Sequence, residues 1–389
     1  MQNFPPAPLE EWMRLYYFAV DADIGSSGVS DFALAEVRAL LGIGVEEMDA
    51  VVFHDSQTLG GIGVRGAIAR RWTGGDAGRV MVTHGSTEAI FLAMNALLHP
   101  GDEVVLLDPA YPGLGDVVRG LGCRVKHWTL HYEDGWRPDL ERLEALVTPR
   151  TRMVVVNFPH NPTGVTLTPA GQDQLLGIVE RAGSWLLWDG AFSDLTYETP
   201  PLPDPVLRYR RTLSLGTLSK GYGLPGLRVG WCLADPAVFE TMARVRDYTT
   251  LHLSPLVELL AERVIDGADR ILAQKRAAAR RNRALVQRWI GEQEGAITWT
   301  PPQGGVCGFP RLHDVPCVEE FCHALAREHR VLLVPGTCFG TPGHVRLGFG
   351  GHATALEEGL GRLSEALPPR RRGGRAGLSV AGAGAGESW

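Results

Sequence analysis

The chain has no apolar run approaching the roughly 20 residues that cross a bilayer as a helix. Its opening, MQNFPPAPLEEW, lacks the basic start and apolar stretch of a secretory signal. The first absence excludes a helical membrane span, and the second leads us to expect a cytoplasmic protein. Positive charge is not in surplus either. Lys and Arg number 38 against 44 Asp and Glu, a formal net charge of -6, whereas a general nucleic-acid binder needs a basic surface to displace phosphate counterions. The six cysteines, Cys123, Cys232, Cys307, Cys317, Cys322 and Cys338, form no CxxC pair and have no histidine cluster beside them. Reduced core thiols are expected, with neither a metal site nor a disulfide framework.

What is present is an ordinary globular composition, 44% hydrophobic and 21% charged over 389 residues, enough to bury a sizeable core. Between about residues 80 and 235, short apolar runs alternate with amphipathic stretches. Strands are expected at 80–83, 103–107, 124–128, 153–157, 185–188, 213–217 and 229–233, with helices at 86–98, 113–121, 140–146 and 169–182. Strands buried on both faces and separated by helices make an α/β fold with a doubly wound, mainly parallel sheet. A long helical pattern from about 268 to 290 leads to a smaller α+β region. We expect an N-terminal segment (1–50) shared with the small domain and the site entrance, a large domain (51–275), a small domain (276–367) and a flexible tail (368–389). The tail carries Arg370, Arg371, Arg372 and Arg375 among glycines and has little to bury.

The strongest chemical signal is TLSKGYGLPGLRVGW (217–231), which sets Lys220 between an expected strand and a Gly-rich turn, with Arg228 eight residues on. A lysine can form an imine with an aldehyde, but its ordinary pKa of about 10.4 must fall for amine chemistry near neutrality. Thr217, Ser219 and Arg228 suit a phosphate anchor. The bland alternative is a Lys and an Arg on a surface loop. Four more segments follow the same strand-then-turn or strand logic: HGSTEAI (84–90), DPAYP (108–112), NPTG (161–164) and WDGAFSDL (188–195); HVRLGFG (344–350) lies near the C-terminus. GIGVRG (61–66) matches GxGxxG, but it follows a polar loop instead of a strand, so the context for dinucleotide binding is missing.

Together these motifs, in this order over roughly residues 20 to 366, resemble the class I and II aminotransferases, the fold-type I enzymes that use pyridoxal 5'-phosphate. The resemblance implies the aminotransferase-like fold, that cofactor, a small amino acid substrate and a homodimer. It implies that Lys220 holds the cofactor as a Schiff base and acts as the general base. Tyr111 would stack on the pyridine ring, Asn161 would bond the phenolic oxygen, and Asp189 would keep the ring nitrogen protonated. Gly85, Ser86, Thr87, Thr217, Ser219 and Arg228 would hold the phosphate, the first three at a helix N-terminus. Arg346 would clamp the substrate carboxylate.

The chain departs from the family pattern at Phe192, where many members carry a tyrosine that donates to the phenolic oxygen, and at Gly190, where an acid is frequent. A tyrosine reaching the neighbouring subunit's phosphate has no counterpart near Asp55 and Ser56. The segments DADIGSSGVSDF (21–32) and FHDSQTLGG (53–61) resemble instead members that cyclise a β-hydroxylated arginine. That chemistry implies loss of the α-proton, loss of the β-hydroxyl as water and closure of a ring by a guanidine nitrogen. It also calls for substrate contacts from the N-terminal segment, with Gly25 and Asp23 as candidates and Asp21 and Asp55 as further carboxylates for the guanidinium. The competing readings are an aminotransferase with an oxo-acid partner and a non-catalytic regulator. No basic helix-turn-helix precedes the first core strand to support the latter.

Overall fold

The computed structural model describes residues 5–368; the Arg- and Gly-rich stretch that follows lies outside them. A seven-stranded sheet forms the centre. Its strands are β1 (Val80–Thr83), β2 (Glu103–Asp108), β3 (Arg124–Thr129), β4 (Thr151–Asn157), β5 (Trp185–Asp189), β6 (Thr212–Thr217) and β7 (Gly230–Leu233), in the spatial order β1-β7-β6-β5-β4-β2-β3. Only β7 runs antiparallel to its neighbours. All seven expected strands are present. Their Val, Leu and Met side chains are buried on both faces, because the intervening helices cover the sheet on two sides. The exception is β3 at the edge. Arg124, Lys126 and His127 keep it partly in water, and Lys126 pairs with Glu103 at 2.9 Å. Charge on an unpaired edge is a device against sheet-to-sheet association.

The helix Ala268–Glu292 leads out of this layer toward short strands that carry the C-terminal motif. Val345–Gly348 pairs antiparallel with both Cys307–Gly308 and Val334–Pro335. The N-terminal segment is stitched to the same region: Ala22–Asp23 pairs parallel with Val331–Leu332, Gly348 donates its N–H to the Ile24 carbonyl at 2.8 Å, and Trp12 Nε1 donates to the Leu333 carbonyl at 3.1 Å. Two glycines make this close approach possible. A Cβ at Gly348 would stand 1.8 Å from the Ser26 carbonyl oxygen, and one at Gly350 would stand 2.1 Å from that of Gly28.

GIGVRG enters a helix, Ile62–Trp72, with Gly61 at its N-cap, and does not follow a strand. Cys232, Cys307, Cys322 and Cys338 are buried thiols, whereas Cys123 is partly buried and Cys317 exposed. Among the described residues no helix is long and apolar enough to cross a membrane.

Candidate active site

In a parallel sheet every loop after a strand opens at the same edge, and ligands collect there. Here those loops deliver His84 and Gly85 after β1, Tyr111 after β2, Asn161 after β4, and Ser219 and Lys220 after β6, while Asp189 ends β5. They meet the N-terminal segment and the strand Val345–Gly348 around a cavity of about 670 Å³. Ser86, Thr87, Tyr111, Asn161, Asp189, Thr217, Ser219, Lys220, Arg228, Arg346 and Asp23 all line it. Of the expected site residues Gly85 and Gly25 stand behind this surface, each beside one of its arginines, and Asp55 lies away from it.

At one end the helix Gly85–Leu97 begins without a side-chain cap, so its first N–H groups point at the cavity. Arg228 reaches the same place, donating to Ser219 Oγ at 3.2 Å. Thr217 accepts from the Ser219 N–H at 3.1 Å and contacts the Val229 carbonyl at 3.0 Å, so it shapes the turn that presents Ser219. Gly85 has φ +73 and lies so near Arg228 that a Cβ would stand 2.5 Å from Nη2; a Cβ at Gly230 would stand 2.5 Å from the Ser86 nitrogen. Behind the helix start, Glu88 accepts from the His84 N–H at 2.6 Å and from Thr250, while Arg246, fully buried, donates to the Thr58 and Val82 carbonyls. Burial alone would raise the Glu88 carboxyl, but its hydrogen bonds and Arg246 bring it down to about 2.

At the centre, Asp189 is 5% exposed. Its Oδ1 accepts from the Ala191 N–H at 3.0 Å, and its Oδ2 has no hydrogen-bond partner among the described residues. Burial pushes this carboxyl up to about 6, against the pull of the Ala191 N–H and the Lys220 charge. The Lys220 ammonium is pushed down to about 8, first by burial and then by Arg346. Asn157, in register with Asp189, donates to the Asp189 carbonyl at 2.8 Å and accepts from the Asn161 N–H at 2.7 Å, which locks the NPTG turn to β5. Phe192 sits with its ring centroid 6.0 Å from Lys220 Nζ and supplies no hydroxyl.

At the far end, Arg346 is 3% exposed and donates from Nε to the Gly25 carbonyl at 2.9 Å and from Nη1 to Asn161 Oδ1 at 3.5 Å. Asp23 does not reach it by a hydrogen bond. Its Oδ1 instead accepts the N–H groups of Gly25 and Ser26, both at 2.9 Å, and so shapes the turn that aims the Gly25 carbonyl. Asp21 lines the rim and pairs with Arg330 and Arg362. Asp55 drops out as a substrate contact: it pairs with His252 at 3.1 Å, its side chain is 98% exposed, and it does not line the cavity. Glu10 and Ser27 line the cavity without being named by the sequence motifs, though Ser27 falls within DADIGSSGVSDF. Glu10 accepts from the Tyr111 hydroxyl at 3.0 Å, and Ser27 accepts from Lys220 Nζ at 3.1 Å.

This arrangement fits pyridoxal phosphate. The uncapped helix start with Arg228 and Ser219 suits the phosphate, the partnerless oxygen of buried Asp189 suits a protonated ring nitrogen, and Lys220 suits the aldehyde. Comparisons with known proteins agree. The pattern of the aminotransferase class I and II family matches residues 63–363. Capreomycidine synthase of Streptomyces vinaceus is 45% identical over 97% of both chains. The arginine–pyruvate transaminase of Pseudomonas aeruginosa is 30% identical over 74% of this chain and 75% of its own. The crystal structure of the PLP-dependent cyclase OrfR in complex with Au superposes with a TM-score of 0.90 at 46% identity, covering 94% of this chain and 97% of that one.

Asp189 gives a pH test with a defined sign. Its folded-state pKa of about 6 exceeds the ordinary 3.8, so between those values the folded chain binds more protons than the unfolded one, and stability falls as pH rises through the window. The full cost above pH 6 is about 3 kcal/mol. In the cofactor-free protein, Asp189→Asn is therefore expected to gain stability over the parent as pH goes from 4 to 6.5, by up to that amount, while binding the cofactor less tightly. Urea unfolding at several pH values measures it; a difference that does not change with pH would refute it.

Proposed function

Since the chain belongs to the aminotransferase class I and II family of pyridoxal phosphate enzymes, we propose that it uses this machinery to cyclise a β-hydroxylated L-arginine. The product is a capreomycidine-type cyclic amino acid for antibiotic biosynthesis. The observation that carries this reading is that the likeness to capreomycidine synthase runs through nearly the whole chain, whereas the arginine–pyruvate transaminase matches about three quarters of it.

The residues divide the work. Arg346, with no carboxylate in bonding contact among the described residues, pairs with the substrate carboxylate. Lys220, with its ammonium near 8, is in part a neutral amine at physiological pH and takes the α-proton. Bound pyridoxal phosphate supplies the sink for the electron pair left on the α-carbon. Asp189 would keep a proton on the cofactor's ring nitrogen, and Asn161, fixed by Asn157, would bond its phenolic oxygen. Because the guanidine nucleophile is part of the substrate, ring closure needs positioning and no second reactant.

The substrate's cationic end finds its partner in Glu10. This carboxylate comes from the helix Pro8–Tyr16, is held by the Tyr111 hydroxyl and lies within electrostatic reach of both Lys220 and Arg346. Asp23 is occupied by its turn and Asp21 by two arginines. Glu10→Gln is expected to raise the KM for hydroxyarginine about tenfold or more, as loss of a charge-assisted contact does, with little change in the binding of citrulline, which has no charge there. Equal effects on both ligands would remove Glu10 from this role.

The enzyme works as a homodimer. An apolar surface supports this: Val52, Phe53, Ile62, Tyr248 and Leu251 are all more than half exposed, on segments linked by the Asp55–His252 contact. Sedimentation at micromolar concentration is expected to give twice the chain mass; a monomer there would reject it.

The direct test is incubation of the holoenzyme with 3-hydroxyarginine and no oxo acid. Catalytic loss of water with retention of the α-amine in a cyclic product is the expected result. Turnover only on addition of an oxo acid would make the protein an aminotransferase.

A further inference from the structure

Water loss asks for something that proton transfer at the α-carbon does not. Hydroxide is a poor leaving group, so the β-oxygen must receive a proton as its bond to carbon breaks. Lys220 touches one side chain that can supply it. Its Nζ donates to Ser27 Oγ at 3.1 Å, Ser27 is 4% exposed and lines the cavity, and the Ser27 hydroxyl hydrogen has no acceptor among the described residues. The position of Ser27 is set on both sides. The Ser26 and Gly28 carbonyls rest against Gly348 and Gly350, the Val29 N–H donates to the Lys220 carbonyl at 3.3 Å, and the Ser30 N–H donates to the Gly350 carbonyl at 2.9 Å. The hydroxyl is thus fixed between the lysine and the cavity.

We propose that Ser27 is a catalytic residue for water loss, passing its proton to the substrate's β-hydroxyl and taking one back from Lys220. The proposal rests on the cyclase reading. Lys220 removes the α-proton, and the C–H electron pair becomes the second bond between the α- and β-carbons. The C–O pair leaves with the β-oxygen, which takes the Ser27 proton and departs as water. Ser27 Oγ then takes the extra proton of the Lys220 ammonium across their hydrogen bond. Amine and hydroxyl are both restored, the water carries the proton that Ser27 gave and a proton from the Lys220 ammonium replaces it, and no oxidant or reductant is needed.

The test compares holoenzymes of the parent, Ser27→Ala and Ser27→Cys. Three quantities are followed: L-arginine affinity by spectral titration, exchange of the arginine α-hydrogen in D2O by NMR, and water loss from 3-hydroxyarginine. Arginine has no β-hydroxyl, so its exchange reports Lys220 alone. Ser27→Ala is expected to hold arginine affinity and exchange near the parent's while water loss falls about 100-fold or more, the usual worth of a positioned acid. Ser27→Cys, which keeps a proton donor of similar size, is expected to recover part of the loss. Water loss unchanged in Ser27→Ala, or water loss and exchange falling together, would overturn the proposal. A parent enzyme that exchanges the arginine α-hydrogen but releases no water from hydroxyarginine would instead fail the cyclase reading, before any variant is considered.

Discussion

Three charges without counter-charges in bonding contact, two of them buried and that of Lys220 half-buried, set the terms for this molecule. Lys220, Asp189 and Arg346 stand at one edge of the sheet, and the partners they bond directly are a hydroxyl, a backbone N–H, a carbonyl and an amide. Neutral partners repay only part of the desolvation. The balance is left for a ligand with the complementary set: an anion for Arg346, a protonated ring nitrogen for Asp189, and an aldehyde or an acidic C–H for Lys220. A structural ion pair among the three would have stabilised the chain and silenced the site. Support comes from outside the cavity, where the Glu88–Arg246 contact and the Asn157 bridge hold the loops without consuming the charges.

The sheet was legible in the sequence because its signals are local. Short Val- and Leu-rich runs closed by Gly, Pro or Asp mark each strand, and the turn that follows carries the chemistry. The phosphate end is legible for the same reason: Ser86 and Thr87 lie side by side, and Ser219 and Arg228 lie nine residues apart. Reading fell short at β3, where Arg124, Lys126 and His127 leave the strand partly in water, whereas β1 at the other edge is buried throughout.

The substrate end could not be read this way. Glu10 meets Tyr111 across 101 residues, Ser27 meets Lys220 across 193, and Gly25 meets Arg346 across 321. An acid near the N-terminus or a serine in SSGVS has no periodicity to mark it. Asp55 drew attention as one more loop carboxylate, and only the fold shows it turned toward His252. Asp23 acts through the turn it builds, a role that sequence spacing alone does not reveal.

The seam between the chain's two ends also bears on how the protein is made. Residues 22–30 are synthesised roughly 300 residues before their partners, residues 331–332 and 346–350. The seven strands are complete in the first 233 residues, whereas Arg246 and Thr250, which brace the start of the helix Gly85–Leu97, come later, and the N-terminal segment waits longer still for a strand to pair with. Closing so long a loop carries a large entropy cost and belongs to a late step of folding. The two walls of the cavity, one from the sheet's loops and one from the N-terminal segment with Arg346, therefore meet only across this seam.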